Sequence, residues 1–343
     1  MQNDQATLSI LGDYLETYLV QFNGLNSITK FSNGQSNPTY LIEANSGQYV
    51  LRTQPPGILL KSAHAVDREF RVIRALENTA VPVPKALHLC EEKTILGGLF
   101  YVMSFEPGRV FWNPSLPELS REQRASVYDE MNDMMATLHN VDVNAVGLSD
   151  YGKPGSYFGR QITRWTKQYK ACETTSIIAM DKLIEWLPHN LPEDDGQISL
   201  IHGDYRIDNI IFESGSTKAK ALLDWELSTL GHPYADLAYQ CMQWRLGTSA
   251  VIPGLGDLNR EAIGIPSEQE YVSRYCQRRG ISHIPNWNFF LTFSFFRFAA
   301  ILQGVLKRAI DGNASSKKAF EFGAMAPILA NMALTLIEPH CHE

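Results

Sequence analysis

Two short stretches of this 343-residue chain place oxygen-bearing side chains at the ends of apolar runs. In Leu200-Ile-His-Gly-Asp-Tyr-Arg-Ile-Asp-Asn-Ile-Ile-Phe212, Asp204 and Asn209 stand between Leu200-Ile201 and Ile210-Phe212. In Ala221-Leu-Leu-Asp-Trp225, Asp224 follows a second apolar run. Such runs read as short buried strands, and strands joined by a turn would carry the three side chains to one rim. Hard oxygen donors of this kind suit Mg²⁺ better than zinc. The structural alternative is a turn in which Asp204 and Asp208 cap backbone amides while His202 packs inside. That alternative leaves Asp224 without a reason.

Phosphoryl transfer from a nucleotide to a hydroxyl uses this set: an Asp to accept the hydroxyl proton, an Asn on one metal ion, and an Asp on the metals that bridge the phosphates. It also needs a phosphate-cradling loop, a strand cation and a helix carboxylate paired with it. Each has an upstream candidate. The polar loop holding Asn33, Gly34, Gln35, Ser36 and Asn37 lies between the strand patterns Ile28–Phe31 and Thr39–Glu43. Backbone amides of such a loop suit phosphate oxygens. A third strand pattern, Tyr49-Val-Leu-Arg52, ends on a cation. The usual residue there is Lys; Arg is a rigid fork that can still hold phosphate bidentately. Glu69 is the candidate partner, in a helical pattern that opens at Ser62 and aligns Val66, Phe70, Ile73 and Leu76. A solvated charge face with Asp67, Arg68, Arg71 and Arg74 is the alternative for Glu69.

Around these positions the chain predicts a helix over 7–22, strands at Lys85–Cys90 and Gly98–Phe105, and a helical remainder. Helices are expected from Ser120 to Asn140, over 156–171 and 174–190, over 286–311 and over 314–337. Ser120-x-x-Gln123 and Ser267-x-x-Glu270 match the capping box. Pro233 opens a helix to Trp244 with Asp236 in its first turn, where a carboxylate is favoured by the helix dipole and can brace the loop at His202.

In this order the motifs resemble the aminoglycoside phosphotransferase family, which is kinase-like. Tyr49-Val-Leu-Arg52, Pro55-Pro-Gly57, Ser62-Ala-His-Ala-Val-Asp-Arg-Glu69 and Asp224-Trp-Glu-Leu-Ser-Thr-Leu-Gly231 are similar to a narrower group, the kinase-like domain fused to some acyl-CoA dehydrogenases. The resemblance implies an α+β, bilobal protein-kinase-like fold. Residues 1–105 would form a nucleotide-binding lobe with its hinge, an antiparallel five-stranded sheet plus a helix. Residues 106–343 would form a mainly helical lobe with the catalytic loop and substrate site. It implies ATP and Mg²⁺ as cofactors, Asp204 as base, and Asn209 and Asp224 as metal ligands. Asn33 to Asn37, Arg52 and Glu69 would serve the phosphates. The backbone of Ser104, Phe105 and Glu106, with Met103 nearby, would meet adenine, although Met103 and Phe105 suit a core equally well. Asp224-Trp225-Glu226 replaces the Asp-Phe-Gly of protein kinases, so no flipping switch is implied. The implied acceptor is a small hydroxylated molecule, a hydroxy acid or hydroxyacyl-CoA, with a functional link to an acyl-CoA dehydrogenase. An aminoglycoside- or choline-type kinase is an alternative. So is an ATP-binding module without transfer activity, which Arg52 in the lysine position favours. Arg278, Arg279, Arg297, Lys307 and Arg308 are candidates for contacting an anionic substrate.

Composition narrows the remaining classes. A formal net charge of −7 argues against nucleic acid as the main partner. Hydrophobic content of 44% and charged content of 20% are those of an ordinary globular chain. The five cysteines are scattered without a C-x-x-C pair, the pattern of a reducing cytoplasm. The N-terminal residues lack a signal-peptide pattern. The apolar window Phe289 to Leu302 is short and contains Arg297, so it reads as a buried helix and not a membrane span. A metal-dependent hydrolase built on His202, Asp204, Asp208, His232 and Asp236 is a third class, but the H-E-x-x-H spacing is missing.

Overall fold

The computed structural model describes residues 5–31, 37–55, 65–248, 250–312 and 318–338. Asn33, Gly34, Gln35 and Ser36, and the Ser62 helix start, lie outside the described residues. The chain divides into two compact units. The first comprises the described residues up to Val110, with Asn144–Leu148 and Asn209–Ser228; the second comprises Phe111–Val143, Ser149–Asp208 and Thr229 onward.

The first unit opens with α1 (Gln5–Tyr18), followed by strands β1 (Leu25–Lys30), β2 (Thr39–Ala44) and β3 (Gly47–Thr53). Helix α2 (Val66–Leu76), β4 (Ala86–Cys90), the four-residue α3 (Lys93–Leu96) and β5 (Phe100–Ser104) follow. The five strands form one antiparallel sheet in the order β1-β2-β3-β5-β4. Two-residue periodicity decides what each face meets. On one face Ile28, Tyr40, Ile42, Leu51, Phe100 and Val102 pack with Leu11, Leu15, Leu19 and Phe22. Truncating one of these fully buried leucines to Ala would cost about 2–5 kcal/mol. Arg52 and Tyr101 have the opposite parity and are cross-strand partners, so both point to the other face. There α2 turns Glu69 inward beside its buried Val66, Val72, Ile73 and Leu76. Helix α1 ends four residues before Phe22, the last residue of the expected helix. Turns carry Leu19 and Phe22 on to the same apolar cluster. Helix α3 was not expected, because four residues are too few to show a period.

The second unit contains α4 (Arg121–His139), α5 (Tyr157–Cys172), α6 (Ile178–His189) and β6 (Ser199–Ile201). The chain then returns to the first unit for the hairpin of β7 (Ile210–Phe212) and β8 (Ala219–Leu222). It re-enters the second unit with β9 (Thr229–Gly231), α7 (Tyr234–Trp244), the short α8 (Arg260–Ile263), α9 (Glu268–Arg279), α10 (Trp287–Ile310) and α11 (Ala319–Thr335). Both expected capping boxes form, at Ser120 with Gln123 and at Ser267 with Glu270. Helix α10 is long and apolar enough to cross a membrane by length and composition, yet 83% of its apolar window is buried inside the protein. Its neighbours there include α5, α7 and α11, as expected of a core helix.

The run at Leu200-Ile201 pairs with Thr229–Gly231, and Ile210–Phe212 pairs across a turn with Ala219–Leu222. These strands are three or four residues long and almost wholly apolar, so their sequence carries no face preference that would name a partner.

Candidate active site

Within the first unit, the β7–β8 register sets the geometry. Ile210 pairs with Leu222, so Asn209 and Asp224 flank the same end of the hairpin. The Leu223 amide closes that end by donating to the Asn209 carbonyl at 2.8 Å. Asp224 sits at φ +65°, in the left-handed region that few residues other than Gly, Asn and Asp tolerate. Such a conformation persists only where its surroundings hold it, and it is concentrated at functional sites.

Arg52 meets this end of the hairpin. Its Nη2 donates to Asp224 Oδ1 at 2.6 Å and to Glu226 Oε2 at 3.4 Å. Its Nε lies 2.8 Å from Glu69 Oε2, an ion pair without hydrogen-bond alignment. Glu69 is 1% exposed and accepts from Asn37 Nδ2 at 2.6 Å and from the Tyr101 hydroxyl at 3.2 Å. Burial pushes the Glu69 carboxyl up to about 7, against the pull of Arg52. Burial opposes the Arg52 charge, but Asp224 and Glu69 outweigh it and hold the guanidinium firmly protonated. Arg52, Glu69, Asn37 and Asp224, each a site candidate from sequence, are therefore one contact network. Asn37 reaches the network through Glu69.

Farther along the sheet, Met103 is buried in β5 and the Ser104 amide donates to the Lys85 carbonyl at 3.0 Å. The Ser104 hydroxyl donates to Glu106, which also faces Lys220 at 3.6 Å. Of the segment expected at adenine, Phe105 and Glu106 are the residues beyond the sheet.

The second unit holds Asp204 at the end of β6. Asp236, fully buried in the first turn of α7, accepts the His202 amide at 2.6 Å and the Gly203 amide at 2.8 Å. His139 lies 3.2 Å from Asp236 through Nε2 and 2.7 Å from the Tyr275 hydroxyl through Nδ1. Burial holds His139 below its ordinary value, against the pull of Asp236. Burial opposes Asp236 ionisation, yet His139 and the loop amides keep its carboxyl below the usual range. Gly203 has φ +84°, which a side chain would strain. Its carbonyl accepts from Arg297 Nη2 at 2.7 Å. Burial, and after it the Asp204 carboxylate, hold the proton on the Tyr239 hydroxyl. Arg206 clamps Asp208 bidentately at 2.9 and 2.6 Å. His202 is buried under the loop and its Nδ1 accepts the Asp204 amide at 3.2 Å.

This arrangement answers two sequence expectations. Asp236 braces the loop through main-chain amides, as its place in α7 suggested. Four of the five C-terminal cations are engaged within the protein. Arg278 pairs with Asp129 and Asp133, Arg279 donates to the His139 carbonyl, and Lys307 pairs with Asp311. Arg297 is 6% exposed and lies over the Trp165 and Tyr239 rings. For the hydrolase alternative, the described residues contain no group of three His, Cys, Asp or Glu side chains able to hold a metal ion. His232 instead faces Asp195 at 3.1 Å. Sequence reasoning missed Tyr239 and the Arg297 contact. A lone Arg inside the Phe-rich run of α10 was the available signal, since a buried charge must find a partner.

An antiparallel five-stranded sheet, a helix presenting Glu to a strand cation, and a helical second unit define a protein-kinase-like fold of the phosphoryl-transfer class. A model of the phosphotransferase enzyme family matches residues 27–268, and the chain belongs to that family. Acyl-CoA dehydrogenase family member 10 of Mus musculus is 47% identical over 335 residues, which cover 96% of this chain and 31% of that protein. The chain spans less than half the length of the curated relatives it matches. A crystal structure of an aminoglycoside-phosphotransferase-like protein from Ralstonia eutropha is 45% identical, with a TM-score of 0.88 over 98% of both chains. The streptomycin–ATP–APH(2″)-IIa ternary complex shares the fold alone, at 14% identity and a TM-score of 0.61 over 97% of this chain and 99% of that one.

Proposed function

We infer that this chain is an ATP-dependent O-phosphotransferase for a small hydroxylated molecule. The observation that carries the reading is the buried Arg52–Glu69 pair joined to Asp224, the set that must be in place for kinase chemistry. Mg²⁺ fits the donors. Asn209 and Asp224 offer hard oxygens, and magnesium uses one or two carboxylates and completes its shell with phosphate and water. The Arg52 guanidinium also faces three carboxylates, Glu69, Asp224 and Glu226, and such a grouping of acidic oxygens suits a divalent ion. When bound, the metal neutralises charge on the nucleotide phosphates.

The chain's own residues have these roles. Asn209 and Asp224 hold the metal, and Arg52, steadied by Glu69, holds phosphate oxygens. Asp204 accepts the acceptor's hydroxyl proton, with His202 and the Asp236 brace holding its loop. Catalysis is then mostly positioning and charge stabilisation. The acyl-CoA dehydrogenase relatives favour a hydroxy acid or hydroxyacyl-CoA as acceptor and a functional link to a dehydrogenase. The full pairing of Asp208 with Arg206 removes one carboxylate that a polycationic antibiotic would use.

The test is ATP consumption with Mg²⁺ against hydroxy acids, their CoA thioesters, choline, homoserine and aminoglycosides, with Asp204→Asn as control. Turnover abolished by the substitution supports the reading. Mg²⁺-dependent ATP binding without turnover on any acceptor would favour a binding module, for which Arg52 in the lysine position is the supporting feature.

A further inference from the structure

We propose that Arg52 is a positioning residue for the metal: in the metal-free protein its guanidinium occupies the Asp224 carboxylate as a placeholder, and nucleotide phosphates draw it away, so metal and nucleotide bind cooperatively. The inference rests on the reading of Asp224 as a metal ligand.

The geometry separates the two ends of the guanidinium. Nε faces Glu69, which is 1% exposed and fixed by Asn37 and Tyr101, whereas Nη2 faces Asp224, whose side chain is 34% exposed. The inner contact is an anchor and the outer one is exchangeable. A divalent ion on Asp224 and a guanidinium on the same carboxylate repel each other, so free metal must displace Arg52 before it gains that oxygen. Phosphate oxygens present the planar, bidentate acceptor geometry that guanidinium prefers. Arg52 can therefore leave Asp224 for a phosphate while keeping Glu69. A lysine ammonium, with one nitrogen on a flexible stem, has no second end with which to make that exchange. Glu226, 3.4 Å from the same Nη2, holds the outer end near Asp224. Coupling of this kind is reciprocal: the factor by which nucleotide tightens metal equals the factor by which metal tightens nucleotide.

The test is Mn²⁺ binding to the whole chain, read from the EPR signal of the free ion with and without ADP and corrected for Mn²⁺–ADP in solution. In the wild type, ADP should tighten Mn²⁺ binding about tenfold or more, within the usual range of site–site coupling. Arg52→Lys should bind Mn²⁺ without nucleotide about tenfold more tightly than wild type, with the coupling reduced by the same factor. Arg52→Gln should do so more strongly, and if it fails to fold the Lys variant decides. A merely structural Arg52 would weaken Mn²⁺ binding when replaced. Unchanged or weaker nucleotide-free binding in the folded variants overturns the placeholder role. Asp224→Asn separates the two readings: if it binds Mn²⁺ like wild type, the metal-ligand assignment itself fails.

Discussion

Arg52 and Asp224 are 172 positions apart in the chain and 2.6 Å apart in space. One guanidinium thereby ties the middle of the five-stranded sheet to the end of the β7–β8 hairpin, with Glu69 behind it. That relationship makes the sheet and the hairpin one structural element, and the carboxylate at its back should be the most costly to remove.

Glu69→Ala removes the carboxylate paired with Arg52 and the acceptor that Asn37 and Tyr101 share. Breaking a buried ion pair costs about 3–5 kcal/mol, and because Asp224 and Glu226 still face Arg52 the lower figure, ~3 kcal/mol, is expected. Urea unfolding monitored by tryptophan fluorescence measures it. Glu69→Gln, which keeps a hydrogen-bond acceptor, should lose less. A loss under about 1 kcal/mol for Ala, the level of an exposed pair, would show that the pair contributes little.

Asp204→Asn keeps the shape and removes the proton acceptor. Turnover should fall by about 10²–10⁴-fold, the range for a positioned general base. ATP affinity by calorimetry should stay near wild type, since the phosphate candidates Arg52 and Glu69 belong to the other unit. A proportional loss of ATP binding would move Asp204 out of the role of base.

Asp236→Asn can accept from only one of the two loop amides and turns an N–H toward the other. We expect kcat to drop about 10²-fold, the scale of small misplacements of catalytic groups. KM for ATP should change little. Rescue by Asp236→Glu is not expected, because the carboxylate sits in a fully buried slot.

The same buried pair predicts a pH limit. His139 titrates below its ordinary value in the folded chain, so the stability held by its neutral form is complete above about 6.5 and is lost as pH falls through the folded value. Asp236, also held low, acts in the same direction at more acid pH. Thermal melts from pH 7.5 to 5 should show a falling Tm. His139→Gln should be less stable at neutral pH and flatter across the acid range. Parallel curves for the two proteins would place the acid transition elsewhere.

Much of this was legible because the side chains that matter sit at element ends, where turn chemistry and polarity stand out. Asn209, Asp224 and Asp204 terminate apolar runs, and Glu69 interrupts the apolar face of α2. Strand parity could place Arg52 and Tyr101 on one face, but the sequence could not say that Asp224 would lie against them, since a contact across 172 positions leaves no periodic trace. The β6–β9 pairing was hidden for another reason: three apolar residues suit any partner. Glu226 was read as a substituted glycine and not as a third carboxylate near Arg52. Its value depends on the 3₁₀ turn Trp225–Leu227, which no propensity argument names.

The β7–β8 hairpin has a consequence for engineering. Asn209 and Asp224 flank its closed-off end, while the exposed turn Glu213–Lys218 lies at the other, beyond Phe212 and Ala219. Length at that turn is uncoupled from the alignment of the two side chains, so a peptide tag or reporter loop spliced between Gly215 and Ser216 should be tolerated. One residue inserted within either strand would reverse its inward and outward positions and part the pair. The two edits differ by a few residues in position and define where this protein accepts a graft and where it does not.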